Sequence, residues 1–400
     1  MGDTVSQIGS QVTLLAVPTV AILILHAGPF QVGLLSALEF LAFPTLGLVA
    51  GVYADRLRRR PIMIVCDLGR MLALGSIPVA YLLNALVLEQ LYVVALLTGI
   101  FTVFFDVSYQ SYLPVLVERS NLLEGNTKLE ISRSVAQVSG PAIAGFLIQW
   151  IGGAKAVAVD ALSFLVSAVA LSTIRTPEPE PKPAGASGAT GFIAEMKEGI
   201  MVVFKNPILW RIAACTATTN FGSIMVFGAV LLVFMYRDLH LSAAVVGIIF
   251  AIGSVGSLLG ALMASWISRR LGLGLTLGTS IVVGGVSLLL TPLALLGAPV
   301  LVLGATGLVT GITVPVYNIN QVSLRQAITP DRVQGRMNAT MRTIVWGTFP
   351  LGGVLGGILG TTVGVVQTII LGAVLSTLAA LWIFLGPVIR VKAQPAPVTA

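Results

Sequence analysis

The residues with chemistry to offer are few, and they stand in unusual places. Glu39 lies about nine residues into the apolar run "LLSALEFLAFP", with no basic residue on the same stretch. Asp67 and Arg70 stand three apart in the next run, Asp106 and Arg133 in the two after that, and Asp160 in a sixth. An ionisable group inside an apolar span is costly, so each of these is a candidate functional residue. A spacing of three puts Asp67 and Arg70 on one helical face, where they pair. Asp106 and Arg133 fall at similar depth; a pair across helices there would be either a structural tie or part of a gate or proton relay. Asp160 has no expected partner on its own helix. Glu39 could take up and release a proton within a cycle, unless a neighbouring backbone group or Gln11 satisfies it.

Hydrolytic and redox chemistry find no support. His26 and His240 fall at a helix end and in a loop, and no nucleophile stands beside a base, so an intramembrane enzyme is not indicated. Cys66 and Cys215 sit in apolar runs and read as small core hydrophobes. No metal site and no cofactor is expected.

The elements that must hold these charges follow from composition. Of 400 residues 56% are hydrophobic and only 10% charged, with a mean hydropathy of +0.97, which a soluble domain with a polar surface cannot match. The formal charge of +7 is scattered between apolar runs rather than gathered in a patch, which argues against nucleic acid and for a bilayer. No cleavable signal peptide is read at the start. At about 20 apolar residues per crossing, breaks at Gly, Pro and charge give twelve helices: 5–25, 31–53, 61–85, 91–112, 128–150, 154–174, 207–236, 243–267, 273–296, 299–322, 337–361 and 365–388. With the N-terminus inside, the inside loops hold Arg56, Arg58, Arg59, Arg60, Arg119, Lys128, Arg175 to Lys205, Arg269, Arg270, Arg325 to Arg336, Arg390 and Lys392, whereas the outside loops keep Lys155 and Arg237. That bias predicts both termini cytoplasmic in a plasma (inner) membrane.

The stretch "RTPEPEPKPAGASGATG" reads as a linker, and Ile193, Met196, Lys197, Ile200 and Phe204 follow at helical spacing, an amphipathic surface helix or an early start of the seventh span. The expected domains are therefore 1–174, a six-helix bundle; 175–205, the linker; 206–388, a second six-helix bundle; and 389–400, a tail. The halves repeat at an offset of about 209 residues, with Gly51 on Gly260, Arg60 on Arg269, Arg133 on Arg342 and Pro141 on Pro350. Duplicated bundles are an architecture of alternating access.

Between the second and third spans stands "GVYADRLRRRP". Its Gly51, Asp55, Arg56, Arg59 and Arg60 resemble the signature loop of the major facilitator superfamily, with a degenerate copy in "GALMASWISRRLG"; Arg58 replaces the usual Gly. The arginines are explained by topology alone, but Asp55 is not. The resemblance implies that this loop latches the two halves, with Gly335 to Asn338 at the opening of the eleventh span as the facing helix. "GPAIAG", with Gly140, Pro141 and Gly145, resembles the Gly-Pro motif of the exporters, with Ala144 in place of one Gly. "FFDVSYQSYLP" and "NQVSLRQAITPDRVQGRMNATMRTIVWGTFPLGG" resemble the macrolide-efflux and enterobactin-exporter branch, also called the transmembrane secretion effector type.

The resemblance implies an all-α major facilitator fold and proton-driven export by alternating access, working as a monomer. Its cargo cavity would be lined by the first, fourth, seventh and tenth spans, on which stand Gln11, Tyr109, Asn220, Phe221, Tyr317, Asn318 and Asn320. Aromatics with amides suit an amphiphilic small molecule such as a drug, macrolide or siderophore better than a sugar. The glycines of the eighth and eleventh spans are expected to serve helix packing. The alternative within transport is an uptake symporter. A transporter-like sensor would need a soluble output domain, and no loop is long enough to hold one.

Overall fold

The computed structural model describes residues 2–116, 122–174 and 189–393, with the side chains of 54–56, 113–131 and 189–196, among others, outside the description. Linker residues 175–188 and the end of the tail, from 394, likewise lie outside the described residues. A chain whose backbone must satisfy itself in hydrocarbon has only helices or a closed barrel open to it. Here it is helices: twelve among the described residues are long and apolar enough to cross a membrane. The first six are Gly2–Leu23, Pro29–Arg56, Arg59–Leu82, Leu88–Leu116, Leu122–Ile151 and Gly153–Thr173. The linker helix Ala189–Lys205 follows, then spans seven to twelve, Leu209–Asp238, Ala243–Leu271, Leu273–Leu296, Pro299–Ala327, Asp331–Thr362 and Val365–Phe384.

The helices run further than apolarity alone indicates, because charged ends can continue helically beyond the hydrocarbon. Gly51, Asp55 and Arg56 thus belong to the end of the second span, and only Leu57 and Arg58 are extended before Arg59 starts the third. Gly335 to Asn338 sit about a turn inside the eleventh span, not at its opening. Where the chain reverses tightly, glycine takes a conformation that side chains rarely adopt: Gly152 between spans five and six (φ 87°) and Gly364 between eleven and twelve (φ 116°) occupy equivalent turns of the two halves.

The described chain divides into two compact units, Met1–Gly185 with Met235–Ala251, and Ala186–Phe234 with Ile252–Ala400. The hairpin 235–251, expected with the second bundle, therefore packs within the first unit. Thr19 and Tyr236 share a hydrogen bond of 2.9 Å, and the Arg237 guanidinium donates to Ala27 O at 2.7 Å. The seventh span changes unit at Phe234–Met235, inside the second of two π-helical stretches, Val226–Val230 and Phe234–Asp238. Such wide turns loosen a helix locally. In the first unit the first span packs on the fifth and sixth, and the third on the fourth and sixth. In the second unit the seventh packs on the eleventh and twelfth, and the ninth on the tenth and twelfth. The same partnerships recur six spans later, which gives the 209-residue repeat a structural meaning.

The linker helix packs on the eleventh span rather than lying free. Val203 joins Leu209, Ala213, Met337 and Met341 in one buried cluster, while Glu198 forms ion pairs with Arg332 at 3.1 Å and with Arg336. Of the residues read as its apolar face, Ile200 and Phe204 are exposed, while Ile193 and Met196 have side chains outside the description.

Candidate functional site

In the second unit, spans seven, nine, ten and twelve enclose a pocket of about 60 Å³. Asn220, Tyr317 and Asn318 line it together, as do Thr216, Thr219, Ser223, Ser280, Thr310, Thr313 and Ser376. None of its lining residues is ionisable apart from the tyrosine, so it offers hydrogen bonds without charge. Tyr317 is held by a 2.8 Å hydrogen bond to Thr216, which itself donates to Ile212 O of its own helix. The Ser376 hydroxyl donates to Thr219 O at 3.3 Å, and the buried Thr219 hydroxyl has no nitrogen or oxygen partner among the described residues. The hydroxyls were missed from sequence, because Ser and Thr are common in such helices and only helix rotation gathers them.

The other four cavity candidates fall elsewhere. Asn320 is turned toward the eighth span, donating to Val316 O at 2.8 Å and Ala264 O at 3.4 Å, which makes it a helix tie. Phe221 is half-buried and brings its carbonyl close to Gly352. In the first unit, Gln11 packs on Gly140, where a side chain could not fit, and Tyr109 stacks on Phe105 with ring centroids 5.8 Å apart.

The buried charges are arranged differently from expectation in two respects. Arg70 donates to Asp67 at 2.5 Å, the pair its spacing indicates. Asp160 does have a partner on its own helix, since the Ser163 hydroxyl donates to Oδ1 at 2.9 Å. It also feels the charges of Arg70 and Asp67 from the third span. The expected Asp106–Arg133 pair is not formed among the described residues: Arg133 is exposed and joins no ion pair there, and Asp106 makes its contacts elsewhere. Equal depth on two helices does not make the helix faces meet. Glu39 makes no hydrogen bond or ion pair among the described residues, while its backbone lies against Gly99 of the fourth span.

In the signature stretch, Arg60 reaches across to the end of the sixth span. Its Nε donates to Leu171 O at 2.8 Å and its guanidinium also to Ser172 O, so a cation caps the free carbonyls of that helix. The side chains of Asp55 and Arg56 lie outside the described residues. Gly140, Pro141 and Gly145 have a clear packing role. A Cβ at Gly145 would stand 2.5 Å from Ala243 O and 2.7 Å from Gly247 Cα, and one at Gly247 would stand 2.6 Å from Pro141 O. Bare backbone meets bare backbone there. The glycines Gly256, Gly260 and Gly311 pack spans eight and ten in the same way.

Both halves of the chain, residues 4–230 and 212–399, match the family model described as Major Facilitator Superfamily. The multidrug efflux pump Tap of Mycolicibacterium fortuitum is 27% identical over 315 residues, covering 77% of this chain and 75% of the relative. The enterobactin exporter EntS of Citrobacter koseri is 25% identical over 335 residues, covering 81% and 75%. The crystal structure of a bacterial homologue of the iron transporter ferroportin superposes with a TM-score of 0.76 at 18% identity over 96% of each chain, a likeness of fold. Because the same helix partnerships recur in each half and the family model matches each half in turn, the chain belongs to the major facilitator superfamily: it is a multi-pass membrane transporter of small molecules, not an enzyme.

Proposed function

We propose that this transporter is a proton-coupled exporter of amphiphilic, hydrogen-bonding compounds of the drug, macrolide or siderophore kind, monomeric in the plasma membrane with both termini cytoplasmic. The observation that carries the cargo class is the uncharged pocket of hydroxyls and amides around Asn220, Tyr317 and Asn318. It is far smaller than the roughly 300–1,000 Å³ that encloses a drug-sized ligand, so it receives one polar edge of a larger cargo. Export is supported by the relatives named for efflux and by the Gly-Pro motif, with its close approach at Gly145. The proton has several candidate carriers at membrane depth, Glu39, Asp67, Asp106 and Asp160, and Gly51 to Arg60 serve as the latch between conformations.

The test is transport in proteoliposomes with an imposed pH gradient, using a radiolabelled macrolide and a catechol siderophore as probes. An exporter moves cargo against the direction of proton flow. Accumulation in the same direction as the protons would establish the uptake symporter instead, and indifference to the gradient would remove proton coupling.

A further inference from the structure

Asp67, Arg70 and Asp160 form a single buried cluster between the third and sixth spans. Their exposures are 0%, 5% and 1%. Arg70 holds Asp67 with one nitrogen, and its guanidinium carbon lies 4.3 Å from the ring centre of Phe105 and 4.1 Å from that of Phe164. Phe164 stands one turn beyond Asp160, so the cation is drawn toward the sixth span. Gly9 of the first span lies against Asp160 Oδ1 and the Ser163 hydroxyl, where a side chain would collide. Thr13, one turn on, also faces Asp160.

The charges do not balance. With all three ionised, these residues carry two anions and one cation, and among the described residues Arg70 and Asp67 are the charges that bear on Asp160. The first span has no ionisable residue from Ser6 to Leu23. The fourth turns Phe105 to Arg70, with Asp106 next along it; Lys155 of the sixth and Arg133 of the fifth are exposed; Cys66 of the third feels only the Asp67–Arg70 pair. Asp160 Oδ2 and Arg70 Nε are buried without a hydrogen-bond partner among the described residues. A surplus buried charge is strongly disfavoured in a low-dielectric interior, and one proton removes it.

Resting on the exporter reading above, we infer that Asp67, Arg70 and Asp160 are the proton site of the cycle, with Asp160 receiving the proton on Oδ2. The proton comes from water on one side and returns to water on the other, and no other bond changes. Loaded, Asp160 is neutral and Arg70 belongs to Asp67 alone. Unloaded, two carboxylates compete for one guanidinium, which draws the third and sixth spans toward a different packing. Glu39 lacks this property, since it has no described partner whose position its charge could change.

The experiment compares purified full-length wild type with Asp160→Asn, Asp67→Asn and Glu39→Gln. Thermal unfolding in detergent is followed by tryptophan fluorescence across pH, and proton flux on adding the macrolide probe is followed in proteoliposomes. Either Asp→Asn change leaves one anion with one cation and no need of a proton. Wild type should lose stability as pH rises, by up to tenfold in the folding constant per pH unit, the limit for one proton. Both Asp→Asn variants should lose the one-proton share of that dependence and at least tenfold in flux, and Glu39→Gln should keep that share. If one Asp→Asn variant fails to fold, the other decides. A wild-type slope in either folded Asp→Asn variant, a flat wild type, or flattening in Glu39→Gln alone overturns the assignment. Absence of probe-driven flux in wild type, with the slopes as expected, overturns the exporter reading and leaves the proton site standing.

Discussion

Gly145→Ala adds one methyl group where two helices meet backbone to backbone, and its cost can be worked from the contact. The new Cβ would lie 2.5 Å from Ala243 O, against 3.4 Å or more for ordinary contact, so the fifth and eighth spans must part by about 0.9 Å. A gap of 0.5–1 Å forfeits roughly a quarter to a half of each dispersion contact, and overpacking of this kind costs about 1–3 kcal/mol. Alanine also gains about 1 kcal/mol over glycine in helix propensity. Gly75→Ala is the control for that gain, because its Cβ would meet only the Ala161 Cβ at an ordinary 3.9 Å. The propensity terms cancel between the two variants, leaving a difference of about 1–3 kcal/mol. At about 2–4 °C per kcal/mol for a unit of this size, Gly145→Ala should melt about 2–12 °C below Gly75→Ala. Cys66 and Cys215 are both buried free thiols, so a thiol-reactive dye reports the unfolding directly. Equal melting temperatures would refute the claim that bare backbone at Gly145 is required.

Asp55→Asn, which removes the anion of the proposed latch but almost no volume, should cut transport strongly at normal protein levels; full transport would leave the signature stretch only its topological role. Arg70→Gln should destabilise by about 3–5 kcal/mol, since it leaves two carboxylates without their cation and strips the stacking on Phe105 and Phe164. Asp67→Asn should cost clearly less, because Asp160 remains to balance Arg70; equal melting temperatures would show that Asp160 does not share the cation. Asn320→Ala should lower stability by about 1 kcal/mol, the value of a typical hydrogen bond, without changing cargo preference. Tyr317→Phe, by contrast, should shift the apparent affinities of a cargo panel relative to one another, and an unchanged ranking would count against the pocket as a cargo subsite.

Much of the architecture was legible in the sequence because membrane insertion is a local decision. A window of about 20 residues either is or is not apolar enough to cross, so the twelve spans could be read without knowing how they pack. The ends of those spans were less legible, since helix continues past the apolar stretch: Asp55 and Arg56 remain helical although hydropathy stops short of them. The Asp67–Arg70 pair was readable because three residues on one helix fix a face.

What lay beyond the sequence is everything that depends on the rotation of one helix against another. Asn318 lines the pocket while Asn320, two residues on, is turned to the eighth span, because two steps of a helix carry a side chain most of the way to the opposite face. Asp106 and Arg133 were matched by depth alone, and depth says nothing about which faces meet. Asp160 is 90 residues from Arg70 in the chain, and only the packing of the sixth span on the third brings it within reach of that cation. The sequence by itself determined that these charges would be buried in a membrane. Which of them would share a counter-ion was decided by tertiary packing, because hydropathy records how deep a residue lies but not the direction in which it points.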